Sequence, residues 1–134
     1  MIVYILTYKK EGNLLILHNK YTYGQFLKKL IKEKNKTQVA FYNELGIHKA
    51  YFYDIVSGKV NPPPFQIQLK IIRILNLQKE ERETLLDLAA ITRNELPGDI
   101  LIYFKNSPEL IKNIRQREDY INNLGGIINA KKEN

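Results

Sequence analysis

The segment from Thr37 to Lys59, TQVAFYNELGIHKAYFYDIVSGK, decides how this chain is read. Gly46 stands at its centre, apolar residues lie on both sides, and the aromatic run Tyr51-Phe52-Tyr53 comes near its end. Thr37 is a residue type that caps helix starts, and the apolar spacing of Phe41 and Leu45 predicts a helix over 38–45. Gly46 then supplies a turn at positive φ with little steric cost. A further helix is predicted over His48 to Val56 and ends at Ser57-Gly58. Two short helices joined by such a turn suit a helix-turn-helix, with Phe41, Leu45, Ile47, Phe52 and Ile55 sharing one small core.

Working outward, the period is helical from Tyr23, where Phe26, Leu27, Leu30 and Ile31 form one face and Lys28, Lys29, Lys32 and Lys36 decorate the rest. Asn35 is a plausible left-handed stop. Downstream of Pro62-Pro63-Pro64 a helix is predicted over 64–75, followed by one in KEERETLLDLAAI, whose leading acids suit a positive helix N-terminus. LPGD at 96–99 breaks the chain. A short apolar helix over Ile100 to Phe104 follows, and Ser107-Pro108-Glu109 opens a last helix expected to run to about Asn123. Gly125-Gly126 reads as its stop and AKKEN as a loose tail. At the other end, IVYILTY and LLILH flank the turn KKEGN and predict a β-hairpin over 2–18.

The chain has 134 residues, a net charge of +7 and a pI of about 9.5. The charge is uneven: residues 1–61 carry ten lysines against four acids, whereas residues 79–99 are net −3. A basic excess concentrated in residues 1–61, the part of the chain that holds the quoted segment, suggests a polyanionic partner. No apolar run approaches the roughly 20 residues that span a bilayer, and no signal peptide is read. The absence of cysteine excludes a disulfide framework and thiolate metal sites and favours the cytoplasm. With two histidines, no phosphate loop and no metal-ligand spacing, neither catalysis, a metal nor a cofactor is expected.

The quoted segment resembles the XRE, or lambda-repressor-like, family of helix-turn-helix domains. Thr37, Gln38, Leu45, Gly46, Ile47, Tyr51, Ile55, Gly58 and Lys59 match the family's motif. ILNLQKEERETLLDLA is similar to the family's closing helices, and NELPGDILIYFKNSPELIKNIRQ looks like an extension found in some members. The resemblance implies a mainly α chain with a hairpin extension over 1–20. A five-helix DNA-binding domain follows over 21–95, and a helical, dimerising extension with a flexible tail over 96–134.

It also implies a regulator, a repressor rather than an activator, that reads double-stranded DNA with the third helix in the major groove. A homodimer on a pseudo-palindromic operator is expected, joined through the hairpin or the helix at 108–123. Thr37 and Gln38 match phosphate-touching positions, and His48 is expected to cap or to touch phosphate. Lys49, Ala50, Tyr53 and Asp54 match base-facing positions, while Tyr51, Ser57 and Lys59 would hold phosphate. A helical wheel with Phe52 inward places His48, Ile55 and Val56 inward and Ala50, Tyr51, Tyr53, Asp54 and Ser57 outward.

Three departures from the motif stand out. Tyr42 replaces a small residue, so the helices should cross more widely or the ring should swing out. Ile31 and Val56 replace a paired Arg and Glu and should pack on each other, since exchanging both partners of a buried ion pair is tolerated. Lys36 replaces a leucine and adds charge. The alternative is a protein-interaction or antitoxin-like module with weak or partner-dependent DNA binding, which Tyr42 and Asp54 favour.

Overall fold

The computed structural model describes residues 4–9, 14–19 and 21–132 and is mainly helical. Two antiparallel strands, β1 (Tyr4–Lys9) and β2 (Leu14–Asn19), pair with Leu6 opposite Leu17, and β2 lies alongside the fifth helix. Residues 2 and 3 of the expected hairpin, and its turn, lie outside the described residues. Eight helices follow among the described residues: α1 (Tyr23–Glu33), α2 (Gln38–Leu45), α3 (Lys49–Ser57), α4 (Phe65–Ile74), α5 (Lys79–Arg93), α6 (Gly98–Lys105), α7 (Pro108–Arg115) and α8 (Glu118–Lys132). They fall into two compact units, residues 1–98 and 99–134.

Helix ends in the first unit are set by local chemistry. Thr22 and Gln25 form a reciprocal capping box, in which the Gln25 N–H donates to Thr22 Oγ1 at 3.2 Å and the Thr22 N–H to Gln25 Oε1 at 3.0 Å. Asn35, Asn76 and Asn94 all take left-handed φ after a helix, the conformation asparagine tolerates best after glycine. After α3 the chain is held to α5 by Arg93, which donates to the Pro62 carbonyl at 2.9 Å, and to α4 by the buried Gln68 amide, which donates to the Pro63 carbonyl at 3.0 Å.

The core of this unit is built from Phe26, Leu27, Leu30 and Ile31 of α1, Phe41 of α2, Phe52 and Ile55 of α3, Ile71 of α4 and Leu85 of α5. Ile31 is fully buried and Val56 is half-buried against the same core, so both of these apolar side chains contribute to it. The Tyr23 hydroxyl is buried without a hydrogen-bond partner among the described residues, and burial pushes its pKa up, with Tyr51 acting in the same sense.

The approach of α1 to α3 depends on Gly24. A Cβ there would lie 2.1 Å from the Val56 carbonyl oxygen, inside any permissible contact. Only glycine lets the two backbones come this close, and the sequence reading did not single it out.

The second unit departs from expectation. The last helix is divided: α7 ends at Arg115, and α8 starts after Arg117. Gly125-Gly126 is not a stop, because α8 continues through both glycines to Lys132, and residues 133 and 134 of the expected tail lie outside the described residues. Each glycine costs about 1 kcal/mol relative to alanine in a helix, too little to end one that other interactions favour. No described residue in 99–130 is buried. Among the described residues, no helix is long and apolar enough to cross a membrane.

Two outcomes are expected. Gly24→Ala should destabilise the chain by about 3 kcal/mol, because the overlap is with backbone and cannot be relieved by a rotamer. A urea melt matching the parent would contradict the close crossing. The second concerns Glu81, whose carboxylate meets Lys34 at 2.9 Å and ties the end of α1 to the start of α5. Burial pushes its pKa up, but the Gln78 N–H and the Lys34 ammonium outweigh burial and hold it below the ordinary glutamate value. Its contribution is therefore present above the unfolded-state pKa and fades as pH falls through the lowered folded value. Glu81→Gln should cost about 1 kcal/mol at neutral pH and flatten that acid limb in thermal melts.

Candidate nucleic-acid interface

Thr37 caps α2, its Oγ1 accepting from the Ala40 N–H at 3.0 Å. That bond leaves the first amides of α2 pointing out of the helix, a position that favours an anion. Gln38 opens the helix and is half-exposed. Gly46, at φ 81°, closes α2 and lets the chain turn into α3.

The two helices are locked by aromatic rings. Phe52 is fully buried and meets Phe41 edge-on at 5.9 Å and Tyr42 at 5.5 Å. Tyr42 does not swing outward. It is only 8% exposed and fills the α2–α3 junction, so the bulk that the motif lacks is accommodated in the core. Tyr53 leans edge-on against Phe52 at 5.5 Å, and the Lys49 ammonium sits 5.9 Å from the Tyr53 ring centre. These contacts orient both outward side chains before any ligand is bound.

Of the predicted residues, Lys49, Ala50, Tyr53, Ser57 and Lys59 are exposed on or just after α3, and Asp54 is half-exposed. Ser57 spends its hydroxyl on the Asp54 carbonyl at 3.3 Å, and the Lys59 N–H donates to the same carbonyl at 3.0 Å. The Asp54 carboxylate has no partner among the described residues.

Two placements are corrected. His48 is exposed rather than inward, because it is the N-cap with extended backbone (φ −75°, ψ 150°) and so lies off the helical wheel. It makes no side-chain capping bond either. Tyr51 is half-buried against the core rather than outward; it stands 100° from Phe52 on the wheel, at the flank of α3.

The structure adds a surface that the sequence reading left as decoration. Lys28, Lys32 and Lys36 line one shallow depression together with Gln25 and Gln38, so the basic face of α1 adjoins the N-terminus of α2. Lys36 pairs with Glu44 at 3.0 Å, and Lys29 bonds Glu33. Lys28 and Lys32 have no acidic partner among the described residues. Their i, i+4 spacing was visible in the sequence; their position beside Gln38 required the fold.

Tyr42→Ala should cost about 3 kcal/mol, as a large ring is lost from a closed junction. A thermal melt unchanged from the parent would instead mean that the helices close over the smaller residue. The chain matches no family model, no curated protein and no solved structure.

Proposed function

We propose that the chain is a sequence-specific double-stranded DNA-binding transcriptional regulator of the lambda-repressor-like helix-turn-helix type, acting as a repressor, with α3 in the major groove and two copies on a pseudo-palindromic operator. Two observations support this reading: an exposed α3 face carrying Lys49, Ala50 and Tyr53, and two α1 lysines, Lys28 and Lys32, that adjoin Gln38 at the start of α2 and have no acidic partner among the described residues. Phosphates of one strand would be held by Lys28, Lys32, the α2 N-terminus at Thr37-Gln38, and Lys59. Lys49 suits guanine O6 and N7, Ala50 and the Tyr53 ring suit a thymine methyl, and the free Asp54 carboxylate can accept from a cytosine N4 amine.

A second reading, a protein-interaction or antitoxin-like module, is favoured by one specific feature. Val39, 53% exposed on α2, and Tyr53, 43% exposed on α3, are large apolar side chains open to solvent on the same pair of helices. A carboxylate at position 54 would suit a protein surface as well as a base edge.

Fluorescence anisotropy with a random-sequence duplex at several salt concentrations separates the two. The DNA reading expects affinity to fall steeply with salt. Lys28→Ala combined with Lys32→Ala should reduce the magnitude of the log–log slope by about 2, since each lost phosphate contact contributes roughly 0.9. Lys49→Ala should instead change the preference among selected sequences. Absence of duplex binding at low salt would overturn the proposal and favour the interaction module.

A further inference from the structure

Helix α8 carries an apolar face that nothing in its own unit covers. Ile121, Leu124 and Ile128 recur at i, i+3 and i+7, with Ile127 beside them, and all four are 40–57% exposed. The opposite side is polar, with Asn122, Asn123 and Asn129. An i, i+3, i+7 repeat is the seam of a paired helix rather than the broad face of a helix lying on a globular core.

The charge along α8 is also directional. The helix opens on Glu118 and Asp119, and its sequence closes on Lys131 and Lys132. Asp119 is held by Arg117 at 2.9 and 3.0 Å, which leaves Glu118 as the acid at that end without a partner among the described residues. Counting these neighbours, the sequence is net −1 over 117–119 and net +1 over 131–133.

We propose that α8 pairs antiparallel with α8 of a second copy of this chain, the two-fold axis passing near Gly125, the midpoint of the helix. In that register Glu118 of one copy lies opposite Lys132 of the other, at both ends of the pair, and the helix dipoles oppose as well. A parallel pair would set acid against acid and lysine against lysine. The seam brings Ile121 of one copy to Ile128 of the other about a centre formed by the two Leu124 side chains. A single shared surface that is complementary to itself under a two-fold is what a closed dimer requires. Gly125 lies at the edge of this seam and Gly126 away from it, and a Cβ at either would meet nothing within 4 Å in the single chain. The pairing thus also accounts for a helix that persists through two glycines: the partner supplies what local propensity lacks. This inference adds to the DNA reading the surface that joins two copies, and it stands on α8 alone.

Sedimentation equilibrium of the full chain at increasing concentration tests it. A reversible dimer of twice 15.7 kDa is expected. Leu124→Glu should weaken it at least tenfold while circular dichroism stays that of a folded chain, since Leu124 supports no buried core. Orientation is read by oxidative cross-linking, which is clean because the chain has no cysteine. Glu118→Cys mixed with Lys132→Cys should yield the mixed disulfide faster than either variant alone yields its own. A parent chain that stays monomeric at several hundred micromolar, or a dimer indifferent to Leu124→Glu, would overturn the pairing. Faster self-linking of Glu118→Cys would overturn its antiparallel sense. A dimer through α8 that binds no duplex refutes only the DNA reading, and a duplex-binding monomer refutes only the pairing.

Discussion

The ring of Phe52 fixes the geometry on which the rest of the first unit depends. It is fully buried, it takes Phe41 and Tyr42 from α2 on one side, and it gives Tyr53 an edge to lean on at the other. Because adjacent residues in a helix diverge by about 100°, burying Phe52 turns Ala50 and Tyr53 away from the core. The same contact therefore makes the hydrophobic junction and presents the outward face. Tyr42 brings a large side chain to the α2–α3 junction and is nonetheless buried there. Its ring joins the aromatic cluster instead of parting the helices from it.

A second constraint acts from α1. Gly24 permits a backbone approach to Val56 that any side chain would block, and this anchors the N-terminal half of α1 against the end of α3. With its apolar face committed to the core, α1 exposes its lysines next to the start of α2. Internal carboxylates then divide these cations into two classes. Lys29 and Lys36 are engaged by Glu33 and Glu44, whereas Lys28 and Lys32 have no acidic partner among the described residues. At ordinary ionic strength the field of such cations reaches only about 8–10 Å, so their closeness to the α2 N-terminus matters more than the total charge of the chain.

What the sequence made legible was whatever local chemistry decides. Thr37, Asn35, Gly46 and Gly58 set helix ends through their own side chains or dihedrals, and the helices of the first unit begin and end within a residue or two of where these signals fall. The hairpin strands were visible in the same way, from β-branched runs around a turn. What was illegible depended on partners distant in sequence. Nothing near Gly24 announces that Val56 will lie against it. The direction of Tyr42 depended on the space left by Phe52. His48 and Tyr51 were misplaced because a helical wheel assumes regular helix to its last residue and a sharp division between inside and outside; an N-cap violates the first assumption and a flanking tyrosine the second. Gly125-Gly126 misled for a related reason: propensity is a weak prior, and a helix with an apolar seam outweighs it.

The proposed function turns on the reading of duplex DNA by α3, with the α1 lysines and the start of α2 on phosphate. Repeated selection of duplexes from a random pool by the full chain, at low and at moderate salt, tests it most directly. The account predicts enrichment of a two-fold-symmetric site with half-sites about one helical turn apart, and sharper enrichment at moderate salt, where non-specific phosphate binding falls away. A pool that shows no enriched sequence at either salt concentration would contradict it.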